Sequence, residues 1–253
     1  MSSKIGMIDS GMGGLLVLKA CVEAHPECDF VFVGDQLHAP YGEHDAEKIF
    51  HYVTVIMEYF ASLHIYDIII GCNTICANIL PQLRARFSRF RFFEIIDPTV
   101  AQLPRGVHRH LAVLSTEATA KTHAYKNAIQ HFDPAIAVQE IACPEFVPLI
   151  EGNASAARLT QAVKKRLKDV TCDGVVLACT HYPYLREAIA ACLHVPIYDS
   201  NQAIVNRYPW PVSHKQEKGS VTIYSTLDGE QMEKQIASLL KQDWKVKTLI
   251  LDF

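Results

Sequence analysis

Short apolar runs alternate with amphipathic stretches along most of this chain. Apolar runs occur at residues 4–8, 30–33 and 67–71, and they are followed by aspartate, glycine or cysteine. Between them, as from Ile49 to Leu63, apolar residues stand three or four positions apart. The short runs predict buried strands, and the wider spacing predicts helices. The alternation of the two patterns predicts βαβ units around a largely parallel sheet.

The same alternation starts again near residue 97, which indicates a second lobe. We assign residues 1–96 together with 209–253 to a first lobe and residues 97–208 to a second. The last segment is too short for a domain of its own, so we expect it to rejoin the first sheet. The predicted fold class is α/β: two pseudo-symmetric lobes, each a largely parallel sheet flanked by helices, with the active site in the cleft between them.

Several segments carry more specific expectations. We predict a strand over 92–96 that Asp97 and Pro98 close, a single helix after the 115–119 turn that reaches about Phe132, and a loop over 142–152. Near the end of the chain we predict a crossing between the lobes over 209–219, a helix over 229–240 and a strand over 246–251.

Composition narrows the classes of function. The 24 Lys and Arg residues nearly balance 27 Asp and Glu, for a net charge of −3, so a nucleic-acid partner is not expected. No run approaches the roughly 18–20 apolar residues of a membrane helix, so no membrane partner is expected. The start of the chain shows no long apolar signal region, which favours the cytoplasm. In that setting we expect the eight cysteines to be reduced.

Two of these cysteines end predicted strands and are followed by polar residues. Cys72 precedes Asn73 and Thr74, and Cys179 precedes Thr180 and His181. The carboxyl ends of strands are where open α/β sheets place their chemistry. An ordinary thiol has a pKa near 8.5, and a helix N-terminus would lower that by about one unit. Neighbouring groups would therefore have to supply further stabilisation of a thiolate.

Other predicted turns add polar groups at similar strand ends. Asp9 and Ser10 offer a carboxylate and a hydroxyl suited to an ammonium group. The loop with Tyr41 and Gly42 offers backbone donors. Further candidates for binding carboxylates are the hydroxyls of Thr116 and Thr119, and the carboxylate of Glu151 lies at the end of a loop. Together with the two thiols, these groups suit a small zwitterion.

The ordered set of these motifs resembles glutamate racemases of the cofactor-independent aspartate/glutamate racemase superfamily. The matching segments are Asp9–Gly14 with Leu18, Gly34–Asp35, Pro40–Gly42, Cys72–Thr74, Cys143–Pro144 with Phe146–Leu149 and Glu151, Cys179–Pro183 and Asp199–Ser200. They cover the chain from about residue 4 to 240.

The resemblance implies an isomerase that racemises glutamate by a two-base mechanism. By family correspondence, Cys72 would act on D-glutamate and Cys179 on L-glutamate. Asp9 and Glu151 would assist on the Cys72 side, and His181 on the Cys179 side. The substrate-binding residues would be Asp9, Ser10, Tyr41, Gly42, Asn73, Thr74, Thr116, Thr119, Thr180 and His181, with Asp35 in support.

The resemblance also implies a small-molecule substrate, no pyridoxal cofactor and no metal, and it allows a homodimer. The usual product of such enzymes, D-glutamate, enters peptidoglycan. Three places depart from the family pattern: Gln36 where threonine is usual, Cys76 where the residue is usually small or hydroxylic, and the segment 92–97.

Other functions stay open at this point. A sister racemase could act on aspartate or another acidic substrate, and a homologue could bind ligand with little turnover. A zinc site from Cys72, Cys76, Cys179 and His181 fits no common spacing well. The Gly11–Gly14 turn lacks the full dinucleotide fingerprint, and neither candidate thiol belongs to a C-x-x-C redox motif.

Overall fold

The computed structural model describes residues 4–210 and 218–253. The strands in these ranges are β1 (Ile5–Asp9), β2 (Phe30–Gly34), β3 (Asp67–Ile70), β4 (Arg91–Phe93), β5 (His110–Ser115), β6 (Ala137–Ala142), β7 (Gly174–Ala178), β8 (Ile197–Tyr198), β9 (Val221–Ser225) and β10 (Val246–Thr248). The α-helices are α1 (Gly14–Ala24), α2 (Ala46–Ser62), α3 (Asn73–Arg86), α4 (Ile96–Val100), α5 (Glu117–Thr122), α6 (Ala124–Phe132), α7 (Phe146–Glu151), α8 (Ala156–Leu167), α9 (Arg186–Leu193), α10 (Ser200–Arg207) and α11 (Gly229–Gln235). Short 3-10 helices cover Gln36–His38, Tyr41–Glu43 and Tyr182–Leu185.

The strands form two sheets in which all the paired neighbours run parallel. The first has the order β10-β9-β2-β1-β3-β4 and the second has the order β6-β5-β7-β8. The order β2-β1-β3-β4 thus recurs in the second sheet with every strand number raised by four. Helices connect the strands, as parallel pairing requires. The predicted fold class, α/β with two parallel sheets flanked by helices, is confirmed.

The strands of the first sheet come from residues 5–93 and 221–248, and those of the second come from 110–198. Helix α10, which we assigned to the second lobe, packs against α1. Its Ile204 belongs to the same apolar core as Leu18. The lobe boundaries after residues 96 and 208 remain predictions. Residues 211–217 of the predicted crossing lie outside the described part of the chain.

Alternating side chains of the second sheet enter two apolar cores. Leu111 and Val113 of β5 belong to the large core that surrounds the first sheet. Ala112 and Leu114 face the opposite way, into a smaller core with Phe146. This is the two-residue period of a strand buried on both faces. The large core therefore extends from one sheet to the other and holds the two lobes against each other.

Helix α2 shows why the amphipathic stretches fold as they do. Asp45 caps it by accepting a hydrogen bond from the Lys48 N–H at 2.9 Å. Ile49, Val53 and Phe60 are buried on one face. An N-cap of this type stabilises a helix by about 1 kcal/mol, and each fully buried apolar side chain adds about 1.5–3 kcal/mol. Among the described residues, no helix is both long and apolar enough to cross a membrane.

The predicted strand over 92–96 is wrong in its second half, because β4 ends at Phe93 and α4 begins at Ile96. Glu94 causes the change. Its carboxylate accepts hydrogen bonds from the N–H groups of Ile96 at 2.5 Å and Asp97 at 3.1 Å. These groups have no partner inside a helix, so the carboxylate stabilises the helix start. Pro98 is tolerated because it lies in the first turn.

The predicted loop over 142–152 is also partly wrong, because it contains α7. Phe146, Val147 and Ile150 are buried on one side of this helix. The predicted helix to Phe132 is broken at His123, whose φ of 55° is left-handed, and this residue separates α5 from α6. Near the C-terminus, α11 continues into a π-helical turn over Ile236–Leu240, and β10 is shorter than predicted.

Candidate active site

Both candidate thiols lie in one cleft between the two sheets. Cys72 follows β3 after one residue, and Cys179 follows β7 directly. Strands β3 and β7 hold equivalent positions in the repeated strand order, so the two chain segments reach the cleft from opposite lobes. The cleft has an empty volume of about 350 Å³, open mouth included. Its lining consists of Ser10, Ala39, Pro40, Tyr41, Gly42, Cys72, Asn73, Thr74, Thr116, Val147, Glu151, Cys179, Thr180 and His181.

Most of the predicted site residues are in that lining, and three stand behind it. Asp9, Thr119 and Asp35 are at most 1% exposed and do not line the cleft. Asp9 and Thr119 contact residues that do, through hydrogen bonds to Thr180 and Thr116. The structure therefore brings the predicted set together as an inner lining with buried supports.

Cys72 occupies the N-cap position of an α-helix. It is the residue before α3, and its Sγ donates to Ser10 Oγ at 3.6 Å. Burial and the nearby Asp9 carboxylate together raise the pKa of the Cys72 thiol to about 12, against the hydrogen bonds from the backbone N–H groups of Ile75 and Ser10, which lower it. The net shift is opposite to the lowering that a helix N-terminus alone would produce. With its pKa raised in this way, Cys72 is a thiol at neutral pH.

Asp9 connects the two thiol turns. Its Oδ1 accepts the Gly11 N–H at 2.8 Å, and its Oδ2 accepts the Thr180 hydroxyl at 3.2 Å. Burial raises the pKa of the Asp9 carboxyl to about 6, although the positive charge of His181 and these hydrogen bonds lower it. A carboxyl with a pKa in that range can take up and release a proton near neutral pH. Its hydrogen bond with Thr180 joins the turn after β1 to the Cys179 turn.

Cys179 is supported differently. No α-helix begins beside it; a 3-10 helix with Pro183 follows at Tyr182–Leu185. The Nδ1 atom of His181 lies 3.9 Å from Cys179 Sγ, and its Nε2 lies 2.8 Å from Glu151 Oε1. Burial lowers the pKa of His181, but its hydrogen bonds with Cys179 and Glu151 raise it, and the net result is well above the usual value. His181 is therefore an imidazolium with a negative partner on one ring nitrogen.

Glu151 contacts the histidine that lies beside Cys179. The family correspondence placed Glu151 on the Cys72 side, whereas its carboxylate is bound to His181, which contacts Cys179. Position in sequence could not show this, because Glu151 ends α7 and its partner lies 30 residues further along the chain. Which thiol Glu151 assists therefore stays a prediction.

Three threonine hydroxyls form a cluster across the cleft. Thr74 Oγ1 lies 3.1 Å from Thr116 Oγ1 and 3.4 Å from Thr119 Oγ1. Thr116 Oγ1 donates to Thr119 Oγ1 at 3.0 Å and also accepts the Thr119 N–H at 3.2 Å, which caps α5. Hydroxyls of this kind can turn to donate to an incoming anion. Thr74 comes from the first lobe and the other two from the second, so the cluster also joins the lobes.

Asp35 supports the loop that carries Tyr41 and Gly42. Its carboxylate accepts the Tyr41 hydroxyl at 2.5 Å, the Thr226 hydroxyl at 2.6 Å and His38 Nδ1 at 2.9 Å. Next along the loop, Gly42 approaches Thr116 so closely that an added Cβ would lie 2.8 Å from the Thr116 Cβ. Any side chain at this position would force the lobes apart.

A chain of amide groups reaches Glu151 from the first lobe. Ser225 Oγ donates to Gln36 Oε1 at 3.0 Å, and Gln36 Nε2 donates to Gln235 Oε1 at 2.9 Å. Gln235 Nε2 then approaches the Glu151 carbonyl oxygen at 3.4 Å. A carbonyl can only accept, so this end sets the direction of the whole chain. Gln36, one of the departures from the family pattern, therefore holds Gln235, which makes the contact with Glu151.

Sequence reasoning missed two further residues at this site. The Tyr125 hydroxyl donates to Asn73 Oδ1, and Gly13 lies against the Cys179 turn. A Cβ on Gly13 would stand 2.5 Å from both Thr180 Oγ1 and His181 Nδ1. The glycine-rich turn was a visible signal of close approach, but α6 gave no local signal that its tyrosine, Tyr125, contacts the site.

The geometry bears on the alternatives as well. Among the described residues, no group of three His, Cys, Asp or Glu side chains is placed to hold a metal ion, so the zinc hypothesis has no geometric support. The Gly11–Gly14 turn packs against Thr180 and His181 through Gly13. All eight cysteines lie in the described part of the chain and none forms a disulfide.

Comparison with known proteins agrees with the motifs. A family model described as Asp/Glu/Hydantoin racemase matches residues 17–208. The glutamate racemase of Lactiplantibacillus plantarum is 36% identical over 80% of this chain and 76% of its own. That of Aquifex aeolicus is 33% identical over 96% of each chain. The fold matches a Francisella tularensis glutamate racemase, solved in complex with D-glutamate, with a TM-score of 0.90 at 24% identity over 99% of this chain and 98% of that one. The chain belongs to the Asp/Glu/Hydantoin racemase family.

Proposed function

We propose that this protein is a glutamate racemase that interconverts L- and D-glutamate with Cys72 and Cys179 as the two bases. The observation that carries the proposal is that both thiols line the same cleft although they are 107 positions apart in the sequence, from 72 to 179. The relatives named glutamate racemase at 33–36% identity support glutamate as the substrate. The family resemblance implies no pyridoxal cofactor.

In the proposed reaction, each thiol serves one face of the substrate. From L-glutamate, the Cys179 thiolate takes the α-proton, and the electron pair of the C–H bond remains on the α-carbon and its carboxylate. The Cys72 thiol then donates its proton to the opposite face, so the product is D-glutamate. After this turnover Cys179 is a thiol and Cys72 is a thiolate, ready for the reverse direction. Proton exchange with solvent or with the neighbouring acids resets the pair.

The ammonium group of the substrate would stabilise a Cys72 thiolate. The Cys72 thiol has a pKa near 12 in the free protein, because it is buried beside Asp9. A bound ammonium group near Ser10 and Asp9 would favour both negative charges. Thiolate formation would then accompany binding, and the free protein would keep a less reactive thiol.

The lining groups suit the two carboxylates of glutamate. The Thr74, Thr116 and Thr119 hydroxyls can reorient to donate to one carboxylate. Asn73 and Thr180 offer further donors around the α-carbon, where negative charge develops during the reaction. Donors fixed in a buried cleft stabilise such charge more strongly than water does.

The biological setting follows from the same resemblance. The D-glutamate would be used in peptidoglycan, and the protein would act in the cytoplasm. A homodimer is compatible with the family, and light scattering coupled to size exclusion would measure its mass directly.

Circular dichroism of reaction mixtures tests the proposal. With purified protein present, the circular dichroism signal of L-glutamate should decay to zero, and so should that of D-glutamate. The signals of both aspartate enantiomers should decay much more slowly. Faster loss with aspartate would identify a sister racemase instead. Proton NMR in D2O separates turnover from binding, because a racemase places deuterium at the α-carbon. Absence of deuterium from every acidic amino acid tried would mean a binding protein and would overturn the proposal.

A further inference from the structure

A buried tyrosine outside the predicted site contacts one of its members. Tyr125 lies in α6 and is 1% exposed. Its hydroxyl donates to Asn73 Oδ1 at 2.5 Å. Asn73 is the first residue of α3, directly after Cys72. The hydrogen bond therefore joins a helix of the second lobe to the helix start that carries a candidate base.

This contact uses only half of the Asn73 amide. The side chain is 2% exposed and belongs to the cleft lining. With Oδ1 bound to Tyr125, the remaining group is Nδ2, which finds no acceptor among the described residues. A buried amide donor without a partner is destabilising, because it has given up its hydrogen bonds to water. Such a donor in a cleft that would hold an anion is explained if the anion accepts its hydrogen bond.

Tyr125 also determines which end of the Asn73 amide has no hydrogen-bond partner. An asparagine side chain can turn about its last torsion and offer either its NH2 group or its oxygen. Burial raises the pKa of the Tyr125 hydroxyl well above its usual value, so the group keeps its proton and can donate. A donor at this place attracts Oδ1 and leaves the NH2 group, which is the end that a carboxylate needs.

We propose that Tyr125 is a positioning residue of this site: its hydroxyl fixes the Asn73 amide so that Nδ2 donates to a carboxylate oxygen of the bound amino acid. The proposal rests on the proposed function for the identity of that ligand. It assigns no proton transfer to Tyr125 itself. Its effect is on binding, through Asn73.

The test is the affinity of the full-length protein for D- and L-glutamate by calorimetry, with KM and kcat beside it. Tyr125→Phe keeps the ring in the core and removes one oxygen. We expect Kd and KM to rise about tenfold, as loss of one hydrogen bond to a charged group predicts, while kcat stays within about twofold. Tyr184→Phe is the matched control, because the buried Tyr184 hydroxyl has no partner in the described ranges and its removal should leave Kd unchanged.

A double-mutant cycle separates positioning from a structural role. Asn73→Ala should weaken glutamate binding at least as much as Tyr125→Phe. In the Asn73→Ala background, Tyr125→Phe should then add nothing, because the group that it positions is gone. Equal losses in both backgrounds would overturn the proposal, and so would a Tyr125→Phe protein that binds like its parent.

Asn73→Asp gives a second route if Tyr125→Phe does not fold. It keeps an oxygen for Tyr125 but offers only oxygens to the cleft, so glutamate binding should be lost while the fold remains. Retained binding would overturn the proposal. A wild-type protein that binds glutamate without turnover would overturn the proposed function alone, since the affinity comparison still applies. Failure of the wild type to bind glutamate would overturn both.

Discussion

The Cys72 turn and the Cys179 turn occupy equivalent places in two sheets of the same strand order, yet their surroundings differ. Cys72 occupies the N-cap position of an α-helix and has Ser10 and Asp9 as neighbours. Cys179 precedes a 3-10 helix and has His181, which is backed by Glu151. The repeated topology brings both sulfur atoms to one cleft, but the groups that would stabilise a thiolate come from unrelated parts of the chain.

The difference shows what topology alone provides. Parallel strands and their turns determine where each thiol lies, because the carboxyl ends of parallel strands meet at one edge of a sheet. They do not determine its charge. On one side that depends on a carboxyl whose pKa burial raises to about 6, and on the other it depends on an imidazolium whose pKa lies well above its usual value.

Removal of either sulfur should give the largest effect. Cys72→Ser and Cys179→Ser should each lower racemisation by about 10⁴-fold, because a serine hydroxyl is a far weaker acid than a thiol. Circular dichroism measures the loss, and calorimetry should show that glutamate still binds.

The two variants should differ in α-proton exchange in D2O. Cys179→Ser should retain exchange of D-glutamate alone, and Cys72→Ser should retain exchange of L-glutamate alone. Cys192→Ser, at a half-buried thiol outside the cleft, is the control and should keep the parent rate. Exchange of the same enantiomer by both variants would contradict the assignment of one face to each thiol.

Separation of the two turns should have the next largest effect. Gly13→Ala places a Cβ against Thr180 and His181, so the lobes must shift by a fraction of an ångström or more. Misplacement on that scale lowers rates by about 10²-fold, and we expect kcat for glutamate to fall by this factor.

Gly71→Ala is the matched substitution on the Cys72 side. Its added Cβ would meet no atom closer than 3.4 Å, which is ordinary contact. Its kcat should therefore stay close to that of the parent. A Gly13→Ala protein with parental kcat would show that the lobes do not need this close approach.

The Asp9 carboxyl should make stability depend on pH. Its folded pKa of about 6 lies above the ordinary 3.8, so its stabilising contribution is complete below about pH 4 and is lost as pH rises through 6. At 1.4 kcal/mol per unit, the loss is about 3 kcal/mol, or about 10²-fold in the folding equilibrium.

Urea unfolding of the wild type and of Asp9→Asn from pH 4.5 to 7.5 measures this contribution. As pH rises, the free energy of unfolding of the wild type should fall relative to that of Asp9→Asn. A difference that stays constant over this range would contradict the raised pKa.

The Glu151 contact should have the smallest effect on rate. Glu151→Gln keeps a hydrogen-bonding group beside His181 but removes its negative charge, so the pKa of His181 should fall. We expect kcat/KM to decrease about tenfold and its alkaline limb to move to lower pH. Glu145→Gln, which changes an exposed partner of Arg166 at the start of α7, should leave the pH profile unchanged. An unmoved alkaline limb in Glu151→Gln would separate Glu151 from the Cys179 side.

Much of this architecture was predictable from the sequence, because periodicity reports which side chains are buried. The strands that carry Cys72 and Cys179 were visible as apolar runs. The segments that differ from the prediction are those in which a single residue overrides the periodic pattern of apolar positions. Glu94 caps α4 inside what looked like a strand, and His123 adopts a left-handed backbone in what looked like one helix.

Contacts between distant residues were beyond sequence reasoning. Three such contacts depend on how the two lobes pack against each other. They are the hydrogen bonds between Glu151 and His181, from Tyr125 to Asn73 and from Gln235 to Glu151. No local pattern encodes the register between α6 and α3. Motifs identified which residues meet at the cleft, and packing decides which of them touch.

The unequal surroundings of the two sulfur atoms have a thermodynamic consequence for a catalyst that interconverts mirror images. Enantiomers in water have identical free energies, so the equilibrium constant is one, and kcat/KM must be the same in both directions however different the two halves of the site are. The difference between the two halves can appear only in kcat and KM taken separately. One enantiomer then has the lower KM and the lower kcat, and the other has both values higher by the same factor.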